Sequence, residues 1–223
     1  MTSQLDKTQN RRSQEQRRRA TTNKLIEATI EVVNENGYSG LRATAITKKA
    51  GVTWGAVQHL FGDKENLLLT VANRTYEELS RALNADISPN APLNTRVEQI
   101  IDLTWKAYQS EAYLAMVEIL RGSRSQPTFN KELLKRQQSV NDDVRNTWLR
   151  LFSTSDIDAR AIDDARDLVT LTLSGLAARR IFLRSHKDPK NIISMLNEAT
   201  VHVLNSTFSH SHKSEPAGLT VLV

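Results

Sequence analysis

Hydrophobic residues recur along this chain at spacings of three and four positions, which is the period of an amphipathic helix. The first such stretch covers about residues 21–36 and ends before Gly37, a residue type that commonly follows the last helical turn. Its apolar positions are Leu25, Ala28, Val32 and Val33. These positions fall on one face, so the pattern predicts a helix that packs this face against a core.

Residues 43–64 predict two short helices joined by a tight turn. Gly51 stands at the turn, where glycine enters the left-handed conformation without a steric penalty from a Cβ atom. Thr53 follows and is expected to cap the second helix through its hydroxyl. The inward face of that helix is formed by Val57, Leu60 and the adjoining Phe61. The pattern is typical of a helix-turn-helix, although an ordinary helical hairpin has the same kind of turn.

A long helix is predicted from about Lys64, with Asp63 as its cap, to a stop before Ser88 and Pro89. At about 1.5 Å per residue it would be on the order of 35 Å long. The remaining helices are predicted at 94–110, 111–121, 128–152, 158–184 and 189–208. No segment of the sequence shows strand-like alternation bounded by hairpin turns. The chain is therefore predicted to be all-α, with about nine helices.

Composition narrows the class of protein. Of the 223 residues, 39% are hydrophobic and 25% are charged, which is ordinary for a globular chain. There are no cysteines, so disulfides, zinc–thiolate sites and cysteine nucleophiles are excluded. No apolar run approaches the roughly 18 residues of a membrane span, and the polar, basic start does not resemble a secretory signal. These features predict a cytoplasmic protein without a membrane partner, and neither a metal site nor a cofactor is expected.

The formal net charge of +5 is unevenly distributed. Arginines crowd into the first 20 residues, at Arg11, Arg12, Arg17, Arg18 and Arg19. Because residues 1–20 lack hydrophobic periodicity, we expect a flexible basic arm. Guanidinium groups next to the first helix would also bind DNA phosphates, and the two interpretations are compatible.

Several residues of the first third resemble the TetR family of transcriptional regulators. They are Asn36-Gly37-Tyr38, Ile46, Ala50-Gly51-Val52-Thr53, Gly55, Val57, His59, Phe61 and Lys64-Glu65-Asn66-Leu67. The resemblance covers about residues 22–70, and the rest of the chain shares only the helical architecture. It implies a three-helix DNA-binding domain at 21–66 and a helical effector-binding and dimerisation domain at 67–209. Residues 210–223 are expected to form a disordered tail.

The resemblance further implies a homodimer, usually a repressor, that binds a palindromic operator and is released by a small molecule. The residues expected to face DNA are Arg42, Thr44, Thr53, Trp54, Gly55, Gln58, His59 and Lys64, with Arg17, Arg18 and Arg19 of the arm. Three of these positions depart from the family pattern. Arg42 stands where a Ser or Thr usually caps the helix, and it can reach a phosphate instead. Trp54 and Gln58 replace the usual Lys and Tyr, and Gln58 could read the N6 and N7 edge of adenine.

Two further sets of residues concern the helical body. Small and apolar residues of the last long helices predict part of the dimer contact, at Leu173, Ser174, Gly175, Leu176, Ala177, Ala178, Ile192, Leu196, Ala199 and Val203. Close packing inside one subunit is the alternative explanation of the small residues. A candidate effector pocket is formed by Trp105, Tyr108, Tyr113, Met116, Phe129, Trp148 and Phe152. An ordinary core explains such residues more often, and a ligand bound there is expected to be apolar or aromatic.

Two other classes of protein compete with a DNA-binding regulator. An enzyme is disfavoured because the chain lacks cysteine, a Gly-rich phosphate loop and a His–Glu metal spacing. A helical binding or scaffold protein without DNA recognition is disfavoured by the basic arm directly before the helix-turn-helix. Within the regulator class, an activator is the alternative to a repressor.

Overall fold

The structure of the protein is a computed structural model that describes residues 2–152, 157–183 and 189–206. The α-helices of these residues are α1 Thr2–Asn36, α2 Ala43–Ala50, α3 Trp54–Phe61, α4 Lys64–Asp86, α5 Leu93–Tyr108, α6 Glu111–Gly122, α7 Pro127–Phe152, α8 Ala159–Leu183 and α9 Lys190–Asn205. Single turns of 3-10 helix follow α1 at Tyr38–Gly40 and α6 at Ser123–Ser125. The described part of the chain contains no β-strand, and the predicted all-α fold is confirmed.

The first helix starts far earlier than the sequence pattern predicts. A start at residue 21 or 22 is wrong, because α1 begins at Thr2. Residues 2–20 contain neither Gly nor Pro and are rich in Gln and Arg, which favour helix. Arg19 also pairs with Glu15 one turn away, with 3.1 Å between Nε and Oε1. Propagation from the packed part of α1 therefore outweighs the missing apolar stripe. That this extension is flexible in the free protein stays a prediction.

The other predicted helix bounds agree with the structure within a few residues. The long helix begins at Lys64 and ends at Asp86, and the carboxylate of Asp63 caps it by accepting from the Asn66 N–H at 2.7 Å. The predicted helix ends at residues 184 and 208, and the tail at 210–223, lie outside the described residues.

The turn between α2 and α3 forms as the sequence predicts. Gly51 is left-handed, with φ 64° and ψ 35°, and its N–H donates to a carbonyl of α2 at 3.3 Å. The N–H of Val52 donates to the carbonyl of Thr47 at 3.1 Å. Both bonds satisfy carbonyls that the end of α2 would otherwise leave open. Ile46 of α2 and Val57 of α3 are fully buried, which fixes the turn against the core.

Thr53 begins α3 in a different way from the prediction. Its backbone is extended, as a cap position requires, but its hydroxyl makes no capping hydrogen bond. The backbone closes the first turn instead, because the N–H of Ala56 donates to the Thr53 carbonyl at 3.1 Å. The predicted side-chain cap is therefore wrong, and the exposed Thr53 side chain is accessible to a partner outside the chain.

One continuous hydrophobic core extends from the helix-turn-helix into the rest of the molecule. α4 contributes to both ends of it, since Leu67 and Leu68 near its start and Leu79 and Leu83 further along are all buried. We call α1–α3 with the start of α4 the head, and the rest of α4 with α5–α9 the body. None of the described helices is long and apolar enough to cross a membrane.

α6 of the body packs against α1 of the head. At the start of α6, the side-chain amide of Asn34 donates to the carboxylate of Glu111 at 2.8 Å and to its backbone carbonyl at 3.0 Å. At the end of α6, the Tyr38 ring lies directly on Gly122, because a Cβ added to Gly122 would stand 2.0 Å from a ring carbon. Burial at this contact, with a smaller effect of Glu65, raises the pKa of Tyr38. The head and the body are therefore joined at both ends of α6.

Replacing Gly122 by alanine should destabilise this contact. The backbone of Gly122 is ordinary helix, with φ -73°, and any residue type can adopt it. Glycine is required at this position only because the Tyr38 ring occupies the space of a Cβ. Overpacking of this kind costs on the order of 1–3 kcal/mol. Denaturant unfolding should therefore give a lower free energy of unfolding for Gly122→Ala than for the natural chain.

Gly55→Ala is the matched control for this substitution. A Cβ at Gly55 would meet only Thr53 Oγ1, at an ordinary 3.7 Å. Within a helix, replacing glycine by alanine adds roughly 0.5–1 kcal/mol of stability. If Gly122→Ala were as stable as Gly55→Ala, the Tyr38 ring would not restrict position 122 to glycine.

Candidate nucleic-acid interface

The outward side of α3 carries polar residues that the sequence analysis assigns to DNA. Gln58 and His59 are exposed, and so are Thr53 before the helix and Gly55 in its first turn. The opposite side of the helix is fixed in the core through Val57, which is fully buried. A helix that is anchored on one side can present its polar side to the major groove in a defined orientation.

Trp54 occupies an intermediate position at the start of α3. It is half-buried and packs against the hydrophobic core. The indole therefore anchors the beginning of α3. Its contact with DNA stays a prediction.

The remaining predicted residues of the head surround α3. Thr44 and Arg42 are exposed at the start of α2, and Arg42 makes no side-chain cap, as its chemistry predicts. Lys64 is half-buried at the start of α4 and lines a groove between head and body together with Tyr38 and Glu118. Lys64 thus lies at the edge of the head that is nearest the body.

The helical extension of α1 brings the basic arm next to α3. Arg17 and Arg18 line one groove together with Gln14 and with His59 of α3. Arg19 differs, because its exposed guanidinium pairs with Glu15 at 3.1 Å. Gln14 is absent from the predicted set, and only the phase of the extended helix identifies it. Cations of the arm and a polar side chain of α3 therefore face the same space.

Ion pairs within the head reduce the number of cations that can meet a phosphate. Lys49 of α2 pairs with Glu31 at 2.9 Å and with Glu35 at 2.7 Å, both on α1. The hydrogen bonds that the Lys49 ammonium donates to Glu35 and then to Glu31 are the main causes of its raised pKa. The neighbouring Lys48 is exposed. Exposed pairs of this kind add little stability, but they keep the charge of Lys49 on the α1 side.

The residues predicted for the dimer contact divide by their burial within one subunit. Buried are Leu173, Ser174, Ala177 and Leu196. Exposed are Gly175, Ile192 and Ala199, and half-buried are Leu176, Ala178 and Val203. The buried residues have almost no surface left for a partner. A contact between subunits would therefore have to be formed by the exposed and the half-buried residues. Leu171 and Met195, which the sequence analysis missed, are 45% and 68% exposed on the same two helices.

The residues predicted to line an effector pocket lie in the body. Trp105 is half-buried, and buried are Tyr108, Tyr113, Met116, Phe129, Trp148 and Phe152. The rings of Tyr108 and Tyr113 stack with 4.2 Å between centroids, and those of Trp148 and Phe152 lie 5.5 Å apart. All of these side chains contribute to the packing of the core.

The body also holds a buried polar contact that the sequence analysis missed. The side-chain amide of Gln137, on α7, donates to the hydroxyl of Tyr76, on α4, at 3.4 Å. A glutamine on the inward face of α7 is the only sequence signal for this contact. Among the described residues, no group of three or more His, Asp and Glu side chains could hold a metal ion.

A helix-turn-helix with an anchored, polar second helix and a basic helical arm defines the class of a DNA-binding regulator with a helical body. Comparison with known proteins agrees with this class. Residues 25–71 match the family described as bacterial regulatory proteins, tetR family. The chain belongs to the TetR family of transcriptional regulators and is not an enzyme.

Relatives cover most of the chain. The HTH-type transcriptional regulator BetI of Proteus mirabilis (strain HI4320) is 31% identical over 159 residues, which are 69% of this chain and 73% of that protein. The HTH-type transcriptional regulator CymR of Pseudomonas putida is 26% identical over 175 residues, 77% of this chain and 85% of the relative. A solved transcriptional regulator from Rhodococcus sp. Rha1 is 17% identical, with a TM-score of 0.65 over 82% of this chain and 95% of its own. At this identity the structural likeness supports the fold alone.

Gln58→Ala and Lys64→Ala should weaken DNA binding in different ways. A side chain that reads a base contributes on the order of 1–3 kcal/mol of discrimination, so Gln58→Ala should lower affinity for the preferred sequence and leave random DNA nearly unchanged. Lys64→Ala should weaken both similarly, because a phosphate contact carries no sequence information. Fluorescence anisotropy with the preferred and a random duplex measures both effects.

Gln138→Ala is the control for these two variants, because Gln138 is exposed on α7, in the body. Its affinity for both duplexes should equal that of the natural chain. Equal losses on the two duplexes for Gln58→Ala would exclude the base-reading role.

Proposed function

We propose that this chain is a homodimeric repressor that binds a palindromic operator and is released by a small, mostly apolar effector. The observation that carries the proposal is α3, which is anchored by Val57 and presents Gln58 and His59 to solvent in a chain of the TetR family. DNA as the target implies the cytoplasm as the location. An activator of the same family, with the same DNA contacts, is the alternative.

In the proposed complex, α3 lies in the major groove. Gln58 contacts a base edge, while Thr53, Arg42 and Lys64 bind phosphates. The groove shared by Arg17, Arg18 and His59 supports a path of the duplex along the extended α1. These guanidinium groups would supply affinity that does not depend on sequence and that falls as salt rises.

A second copy of the chain supplies the second recognition helix. α8 and α9 pack on each other and leave apolar side chains outside. On α8 these outward positions are Leu171 and Gly175, and on α9 they are Ile192, Met195 and Ala199. Their spacings of three and four residues place them on one stripe of each helix. Exposed apolar side chains arranged in stripes favour a partner that removes them from water.

Gly175 adds a geometric argument for this interface. A Cβ at Gly175 would meet no atom within 4 Å, so the packing inside one subunit does not require glycine at this position. A glycine in the outward stripe allows a partner helix to approach closely. Two copies related by a two-fold axis would then form a four-helix contact from α8, α9 and their mates.

Met195→Glu should dissociate the proposed dimer. Met195 is 68% exposed in one subunit, and a carboxylate buried opposite its own symmetry mate would be strongly unfavourable. Light scattering after size-exclusion chromatography at micromolar concentration measures the mass. Gln138→Glu, which adds the same charge to the exposed face of α7, should stay dimeric. A natural chain that is monomeric, or a Met195→Glu variant that remains dimeric, would contradict the interface.

Release by an effector would act through α4. This helix starts at Lys64 in the head and has Leu79 and Leu83 buried in the core of the body. A change in the body that tilts α4 would alter the separation of the two recognition helices, which must match half-sites about 34 Å apart. Only a ligand with different affinities for the two arrangements can shift their populations.

The experiment that tests the proposal is selection of genomic DNA fragments of the source organism by the purified chain at physiological salt. Specific dimeric recognition predicts recovery of one palindromic motif with half-sites about 10 base pairs apart. A reporter behind that motif should be expressed more strongly when the chain is removed, whereas an activator gives the opposite sign. Recovery of unrelated fragments, with binding lost steeply on adding salt, would instead favour a helical binding protein without sequence recognition.

A further inference from the structure

Three tyrosines from three helices come together in the body. Tyr76 lies on α4, Tyr108 ends α5 and Tyr113 lies on α6, and we call them the tyrosine cluster. The rings of Tyr108 and Tyr113 stack with 4.2 Å between their centroids and 13° between their planes. Burial raises the pKa of Tyr113, and the neighbouring Tyr108 and Tyr76 raise it further. The three tyrosine side chains are therefore neighbours in the body.

The hydroxyl of Tyr113 lacks a hydrogen-bond partner among the described residues. The residue is only 2% exposed, so bulk solvent does not reach it. The hydroxyl of Tyr76, by contrast, accepts from the side-chain amide of Gln137 at 3.4 Å. A buried hydroxyl without a partner destabilises the protein, and each such group in a native structure calls for an explanation.

The electrostatic surroundings of the cluster determine which ligands it can accept. Burial raises the pKa of Tyr76 to about 12, with an opposing effect of the hydrogen bond from Gln137. Burial, followed by the effect of Tyr76, also raises the pKa of Tyr108. Among the described residues, no carboxylate or cation contributes to these shifts or to that of Tyr113. The phenols thus stay neutral near pH 7, and a charged ligand would lose its hydration without gaining a counter-charge from them.

We propose that the effector is an uncharged, mostly apolar molecule with an oxygen acceptor, and that this acceptor takes the hydrogen bond of the Tyr113 hydroxyl. The inference rests on the proposed effector response and specifies the chemical class of its ligand. Met116, which is fully buried one turn further along α6, lies on the same side of that helix and supplies apolar surface. Because Tyr76 belongs to α4, a ligand in the cluster acts directly on the helix that leads to the head.

The first test uses the ligand-free protein. Tyr113→Phe removes the hydroxyl that has no partner and should raise the midpoint of thermal unfolding. Tyr76→Phe is the matched control, since it removes a hydroxyl that accepts a hydrogen bond and should lower the midpoint. A lower midpoint for Tyr113→Phe would mean that an internal water already satisfies this hydroxyl, and the proposal would be overturned.

The second test compares acetophenone with α-methylstyrene, which have nearly the same shape while only acetophenone carries an oxygen acceptor. Calorimetric titration of the full chain without DNA should give acetophenone a dissociation constant about 3- to 10-fold smaller. In Tyr113→Phe the two constants should become equal, whereas Tyr38→Phe, which removes a tyrosine hydroxyl outside the cluster, should keep the preference. Benzoate should bind more weakly than acetophenone, because the cluster offers it no counter-charge.

Three results of the titration would overturn the proposal. They are absence of binding by either neutral probe, equal binding of both by the natural chain, and a preference that survives in Tyr113→Phe. Operator release is measured separately, by anisotropy of the bound duplex. A preference for acetophenone that depends on Tyr113, without any release of the operator duplex, would refute the effector-controlled repressor but would support the ligand site. Release of the operator by other compounds, together with equal binding of acetophenone and α-methylstyrene, would refute only the proposed ligand class.

Discussion

The packing of α6 against α1 is the contact on which the arrangement of the molecule depends. At one end the Tyr38 ring, in the turn after α1, lies on Gly122, and at the other end Asn34 of α1 donates to Glu111. α4 is the second connection, since it starts in the head and continues into the body. The exposed ion pairs of the head, such as those of Lys49, contribute little by comparison. The orientation of α3 relative to the body is therefore determined mainly by close packing, and close packing changes in discrete steps more readily than it deforms.

The two proposals assign one hydroxyl of the head and one hydroxyl of the body to partners outside the chain. Thr53 leaves its side chain exposed because the backbone closes the first turn of α3 without it. Tyr113 keeps its hydroxyl buried among neutral phenols. One group faces the proposed DNA surface and the other faces the proposed ligand site. If both proposals hold, linkage requires that DNA lower the affinity for the ligand by the same factor as the ligand lowers the affinity for DNA.

The outer surface of α8 and α9 shows how a symmetric partner would complete the protein. Within one subunit the outward stripe leaves Leu171 and Met195 in water, whereas Leu173 and Leu196 on the same helices are buried. Both helices are thus apolar on two sides, one for the subunit core and one for a second surface. A proposed dimer would bury the second surface and place two recognition helices on one duplex.

The sequence by itself determined the positions of the helices and the nature of the head. The 3.6-residue period located α4 to α9, Gly51 predicted a left-handed turn, and Asp63 predicted a cap, because each of these depends on local geometry alone. The start of α1 was missed because helix propensity and propagation, rather than an apolar stripe, extend it to Thr2. The family motifs around the turn also sufficed to identify the class of regulator.

Only the tertiary structure decided which side of each helix faces which neighbour. The small residues of α8 fit an interface or a core equally well, and packing placed Ala177 inside and Gly175 outside. Its position directly after α1 would allow Tyr38 to cover the end of that helix, yet its ring contacts Gly122, far away along the chain. Tyr76 and Tyr113 likewise belong to separate helices, and their convergence has no signal in local spacing. Such contacts depend on how helices cross in space, and the phase of one helix does not contain that information.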